Sequence, residues 1–285
     1  MACDPSTLIK GGFEVPSLPI IFTRLNAAVN DPRASFTDIS RIISEDPSLT
    51  ARLLRIVNSA LYSLPTKIET ILRAVTIVGT QQVRDLALAT SVVQLFKGIP
   101  EDLISMESFW RHSLACGVTS RILATFRREA NVERYFVGGM LHDIGRLVIC
   151  MVQPDAARAV LTRCRQHGEL LNLVEMELLG FDHAAVGGFL LRTWKLPDSI
   201  QEMVAFHHRP QQSSRFPAET AIIHVADILT HVMELESSEE QLIPPLVPEA
   251  WERIGLPVSV LSGAMDQIRI QFGTAVQTIL PKPTP

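Results

Sequence analysis

The stretch GGMLHDIGRLVI, residues 138–149, most constrains what this chain can fold into. It sets an imidazole and a carboxylate, His142 and Asp143, side by side within an apolar run. Burying such groups is costly unless they are paired or bound to a cation. An adjacent His and Asp suit one metal ion or a bridged pair of ions. A simple hydrogen-bonded core histidine is the alternative. Gly138, Gly139 and Gly145 would let neighbouring backbone approach closely, at about 1 kcal/mol of helix propensity each.

The rest of the chain reads as all-α. From Leu18 the apolar residues Leu18, Ile21, Phe22, Leu25 and Val29 recur at threes and fours, and Asp31-Pro32 stops the run. Ser35 or Thr37 can cap the next helix, with Ile39, Ile42 and Ile43 as its stripe. Asp46 can cap a helix with Pro47 in its first turn, ended by Asn58 and Ser59. Apolar periodicity continues through Ile68–Ile77, and Gly79 breaks it before a helix through Val83 and Leu95. Gly98-Ile99-Pro100 marks a joint. Helices are then expected over 101 to about 130, 132–152, 155–168, 171–179, 183–194 and 198–207, followed by the loop RPQQSSRFPAET. A helix through Ile222–Leu229, a polar break over Glu234–Gln241, an irregular proline-rich connection and a helical segment from Leu256 to Leu280 complete the chain.

Composition narrows the function. The chain has 285 residues, a formal net charge of -4 and 47% hydrophobic residues, so it can bury a sizeable core. That balance gives no electrostatic reason to expect a nucleic-acid partner. Arg111, Arg121, Arg127 and Arg128 are expected to face solvent. No apolar segment is expected to be long enough to cross a bilayer, and MACDPSTLIKGG lacks the features of a signal peptide, so no membrane association is expected. Cys3, Cys116, Cys150 and Cys164 show no CxxC spacing; we read them as reduced and structural, hence a cytoplasmic location.

The histidines and aspartates need sorting. His112 lies beside Trp110 in a helix, Asp182 can cap the helix that His183 begins, and His207-His208 end an apolar helix. Asp227, between Ala226 and Ile228, would be expensive to bury without a partner. His224 is the least persuasive ligand, with a supporting role equally plausible. His167 and His231 are expected on the surface or behind the ligands.

The order His112, His142-Asp143, His183, His207-His208, Asp227 resembles the metal-binding set of the HD superfamily. The cyclic-dinucleotide phosphodiesterase branch, HD-GYP, follows its paired histidines with a Gly-Tyr-Pro loop. This chain instead has HHRPQQSSRFPAE, with no Gly-Tyr-Pro anywhere, and Ser108 stands where some of those proteins have a further glutamate, with Glu107 adjacent. The better resemblance is to the HDOD family of bacterial signalling proteins. EDPSLTARLLRIVNSALY, residues 45–62, is similar to that family's Asp-Pro, leucine and Asn-Ser hallmark. AVTIVG, residues 74–79, resembles its next marker, and His183-x-x-x-Gly187 falls in the expected order.

The resemblance implies an all-α HDOD fold. Residues 1–17 would be a lead-in or linker remnant, 18–98 an N-terminal helical subdomain, 99–236 an HD-like helical core, and 237–285 a C-terminal helical extension and tail. It implies His112, His142, Asp143 and Asp227 on one ion, with Asp143 shared with a second held by His183, His207 and His208. Such a nitrogen-rich set suits Fe or Mn, with Zn or Mg less favoured. Arg146, Lys195 or Arg209 would be available to a substrate phosphate. The family is generally regulatory and often loses ligands, which this chain retains. The leading expectation is therefore a signal-transduction module without robust catalysis. It would act through protein partners or a regulatory domain outside this chain, with a nucleotide as a candidate ligand. The alternative is a dinuclear metal-dependent phosphohydrolase or phosphodiesterase, whose cations would stabilise charge on the attacking and leaving oxygens.

Overall fold

Capping chemistry sets where the first helices start. A computed structural model of the protein describes residues 16–62, 64–96, 98–233 and 242–280. The expectations for the lead-in up to residue 15, for Cys3, for the break at Glu234–Gln241 and for the terminal PKPTP lie outside those residues. Helix α1 runs Ile20–Val29 and α2 Phe36–Ser44. Ser35 opens α2 through a reciprocal cap with Asp38. The Asp46 carboxylate accepts the N–H groups of Ser48 and Leu49 at 2.9 and 3.0 Å, opening α3 (Pro47–Val57). Asn58 then does more than end α3. Its side-chain amide donates to the carbonyls of Leu54 and Ile68 at 2.7 Å each. Its side-chain oxygen accepts the Ile68 N–H at 2.7 Å, pinning the loop that leads to α4 (Ile71–Val78). Gly79, at φ 102°, turns the chain directly into α5 (Thr80–Val92), a conformation that favours glycine.

The expected 101–130 helix is shorter, α6 over Met106–Phe126, because Ser105 caps it and the preceding turn buries Leu103 and Ile104. The expected 132–152 helix is two, α7 (Val132–Leu141) and α8 (Ile144–Val152), parted at His142-Asp143. Adjacent residues on an unbroken helix point about 100° apart. The break instead lets both side chains meet one interior space. Together the two helices are long and apolar enough by composition to cross a membrane, contrary to expectation, but 89% of that stretch is buried inside the fold.

Helices α9 (Pro154–His167), α10 (Leu171–Leu179), α11 (His183–Thr193), α12 (Asp198–Ala205) and α13 (Pro217–Val232) follow, then α14 (Pro248–Ile254) and α15 (Leu261–Ile279). Among the described residues there is no strand. One hydrophobic core runs from Phe22 in α1 to Ile279 in α15, crossing the joint at residue 98. The C-terminal helix α15 packs on both α3 and α6, so it ties the two helical bodies together.

Two of the expected arginines do not face solvent. Arg121 pairs with Glu133 at 3.0 Å, with side chains only 11% and 3% exposed, and its guanidinium lies over the Tyr62 ring. A carboxylate buried on α7 draws it inward. Arg127 donates to the carbonyls of Arg253 and Ile254, the negative end of α14.

Candidate metal centre

The seven candidate ligands are delivered by five pieces of backbone. His112 lies in the second turn of α6, His142-Asp143 at the α7–α8 break, His183 at the first position of α11, His207-His208 just after α12, and Asp227 midway along α13. Glycine makes the approach of α8 to α11 feasible. A Cβ on Gly145 would collide with the His183 carbonyl and lie 2.7 Å from the Gly187 amide nitrogen. Gly139 meets the Cys116–Gly117 backbone of α6 just as closely.

All seven expected ligands converge. The Asp227 Oδ1 lies 3.2 Å from His112 Nε2 and 3.5 Å from His142 Nε2. Asp143 Oδ1 lies 3.4 Å from His142 Nε2, 3.2 Å from His183 Nε2 and 3.7 Å from His207 Nε2. His208 Nε2 stands 2.8 Å from His183 Nε2, a separation that calls for a proton or a cation between two lone pairs. Six of the seven are buried, each at most 5% exposed, and His208 is partly buried.

Hydrogen bonds fix which nitrogen faces inward. Carbonyl oxygens can only accept, so His142 Nδ1–H donates to Gly139 at 2.7 Å and His207 Nδ1–H to Val204 at 2.7 Å. His183 Nδ1–H donates to the Glu175 carboxylate at 2.6 Å. All three rings therefore turn Nε2 towards the centre, the arrangement of metal-ligating histidines. His112 Nδ1, His207 Nε2 and Asp227 Oδ1 are buried without a hydrogen-bond partner. The orphaned His207 Nε2 and Asp227 Oδ1, both turned to the other donors, fit a cation site. Groups of donors within 4.8 Å of one another form around His183, His207 and His208, around His112, His142 and Asp143, and around His112, Asp227 and His231.

The electrostatics point the same way. Burial opposes an imidazolium at His142, but Asp143, Cys116 and Asp227 outweigh it and raise its pKa well above the usual value. Burial likewise opposes charge on His183, where Glu175 and Asp143 prevail. His207, buried and beside those two rings, is pushed down to about 3, and His208 is also lowered by burial and its imidazole neighbours. Asp143 and Asp227 resist the upward push of burial and stay well below the carboxylate range, because histidines surround them. Two buried carboxylates thus gather protons onto neighbouring rings, a role cations would take over.

The candidate phosphate contacts divide. Arg146 is held against Asp143 Oδ2 at 3.0 Å, and Arg209 against Asp182 Oδ2 at 2.7 Å on the rim. Lys195 does not join the site: it is exposed and lies past the far end of α11, roughly 18 Å along the axis from His183. His224 is satisfied by backbone, donating from Nδ1 to the His207 carbonyl at 2.8 Å and accepting the Val247 N–H at Nε2, 3.0 Å.

Glu175 escapes a reading of the sequence for ligand order, and His231, expected on the surface or behind the ligands, does not take the first of those places. Glu175 shares the buried face of α10 with Leu171 and Val174, and an acid on an apolar face signals a buried partner. His231, one turn beyond Asp227, has its side chain 6% exposed rather than on the surface.

The family model described as the HDOD domain matches residues 15–210. A solved HDOD domain protein of unknown function from Geobacter sulfurreducens superposes with a TM-score of 0.80, at 23% identity, covering 98% of this chain and 97% of that one. A protein called a candidate phosphohydrolase, from Shewanella amazonensis SB2B, superposes with a TM-score of 0.74 at 26% identity, covering 96% and 97%. An uncharacterized protein of Treponema pallidum (strain Nichols) is 22% identical over 268 residues; the match takes in 93% of this chain but only 49% of that relative, about half its length. With the fold and the motif order in agreement over most of its length, the chain belongs to the HDOD-domain family.

Proposed function

We propose that this chain is a regulatory signal-transduction module in which an internal pair of metal ions holds the helices in the arrangement that a protein partner reads. The observation that carries the reading is the burial of the ligand set on separate helices, with six ligands at most 5% exposed. Ions held there cross-link α6, α8, α11 and α13 from within. Their loss would loosen the interior, and the change would reach the surface. The donor set favours Fe or Mn, with Zn or Mg less suited. The partner would be another protein or a regulatory domain joined outside this chain, with a nucleotide as a modulating ligand. A cytoplasmic setting accords with Cys116, Cys150 and Cys164, among which no disulfide forms within the described residues.

The test begins with protein purified anaerobically, without chelators or metal-affinity resin, and its metal content. Hydrogen–deuterium exchange then compares loaded and chelated protein. The regulatory reading expects a bound metal pair, faster exchange in α6, α11 and α13 on chelation, and no turnover of cyclic dinucleotides. Hydrolysis by the loaded protein that disappears in Asp143→Asn would replace that reading with the second.

The second reading is a metal-dependent phosphohydrolase or cyclic-dinucleotide phosphodiesterase. It is favoured by Asp143, whose Oδ1 lies 3.2–3.7 Å from Nε2 of His142, His183 and His207, so that one carboxylate could serve two ions. Bound ions would supply Lewis acidity for phosphoryl transfer. Arg209, partly exposed on Asp182, would have to turn outward to meet a phosphate.

A further inference from the structure

Three imidazole nitrogens surround one carboxylate oxygen. His112, His142 and His231 place Nε2 at 3.2, 3.5 and 3.5 Å from Asp227 Oδ1, yet that buried oxygen accepts no hydrogen bond. His142 donates from Nδ1 to the Gly139 carbonyl and so turns Nε2 to this oxygen. Ring nitrogens crowded on one buried carboxylate call for positive charge among them, as protons or as a cation.

His231 is placed for such a role. It stands four residues after Asp227 on α13 and so shares that residue's face. Its ring lies 4.7 Å from that of His112. Donor atoms of His112, Asp227 and His231 fall within 4.8 Å of one another, and the two Nε2–Oδ1 separations of 3.2 and 3.5 Å are ones that a single ion can span with two bonds of about 2.0–2.2 Å. His224, on the same helix, has both nitrogens spent on backbone groups. The helix therefore offers one histidine tied to the fold and one turned to the carboxylate.

We infer that His231 is a metal ligand acting with His112 and Asp227. The inference rests on the metal-centre reading proposed above. It gives the His112 lobe a third imidazole, matching the three histidines of the other lobe, His183, His207 and His208. A lobe so rich in nitrogen favours Fe over Mg.

The test uses Co(II), titrated calorimetrically and followed by its d–d absorption, on the wild type, His231→Gln and His231→Ala. Thermal melts check that the variants fold. One Co(II) equivalent should weaken by at least about 100-fold, beyond the 10–100-fold typical of a residue behind the ligands. Its bands should shift while the other equivalent is kept. Added imidazole should restore both in His231→Ala. Unchanged affinity and spectrum in His231→Gln, beside a wild type that binds Co(II), would overturn the assignment of His231 alone. A wild type that takes up no Co(II) would overturn the metal-centre reading and this inference with it.

Discussion

Glu175 holds His183 twice through one carboxylate oxygen, which accepts the ring Nδ1–H at 2.6 Å and the backbone N–H at 2.8 Å. The first bond sets the tautomer and the second sets where α11 begins. Glu175→Ala should therefore weaken metal binding about 10–100-fold without touching a ligand. Glu175→Gln, which keeps an acceptor but loses the charge, should fall between. Competition with a chromophoric chelator measures both, and equal affinity in all three proteins would show that Glu175 does not tune the site.

Metal affinity should rise with pH beyond the range of ordinary imidazoles. In the metal-free protein His142 and His183 titrate well above 6.5, because the push of burial is outweighed by Asp143 and, for His183, by Glu175 as well. Each ion must displace those protons, so lowering the pH weakens binding. A site of unperturbed histidines would level off above about pH 7. Here the affinity should keep climbing above neutral pH, with proton release seen by calorimetry in buffers of different ionisation enthalpy. A plateau at neutral pH, with no protons released, would contradict the raised values.

The ligand order was legible because it resembles the metal-binding set of the HD superfamily, with His142-Asp143 interrupting an apolar run. The helical class followed from periodicity, and the caps at Ser35 and Asp46 from residue chemistry. What escaped depends on tertiary approach. The α7–α8 break is invisible in a run that reads as one apolar helix, and it arises where His142 and Asp143 both turn inward. Arg121 resembles any exposed helical arginine until Glu133 is seen buried beside it. Lys195 was grouped with the phosphate candidates by charge alone, and the length of α11 carries it away.

Gly145 should tolerate no side chain. Its Cα faces the His183 carbonyl and the Gly187 amide across the α8–α11 contact. Gly145→Ala would gain helix propensity, up to about 1 kcal/mol. Overpacking against rigid backbone should cost about 1–3 kcal/mol or more and dominate. Because the same displacement would part Asp143 from His183, the variant should also bind metal more weakly. A higher melting temperature with intact binding would mean that the two helices can separate freely.

Arg121 and Glu133 cross-brace the two helices that carry His112 and His142. Their side chains meet at 3.0 Å with 11% and 3% exposure, and Arg121 also lies over Tyr62 from the N-terminal half. In each helix the brace sits nine residues from the ligand, about 13 Å along the axis. Removing one partner of a buried pair leaves the other charge uncompensated, so Arg121→Ala should destabilise the fold by about 3–5 kcal/mol. The exposed pair Arg24–Glu45 provides the control: solvent screens it, so Arg24→Ala should leave stability nearly unchanged. Urea denaturation of both variants compares them directly. Replacing both Arg121 and Glu133 with well-packed apolar residues should recover much of the loss, because the penalty comes from the stranded carboxylate. If Arg121→Ala proves as mild as Arg24→Ala, water reaches Glu133 and the brace does not hold α6 against α7.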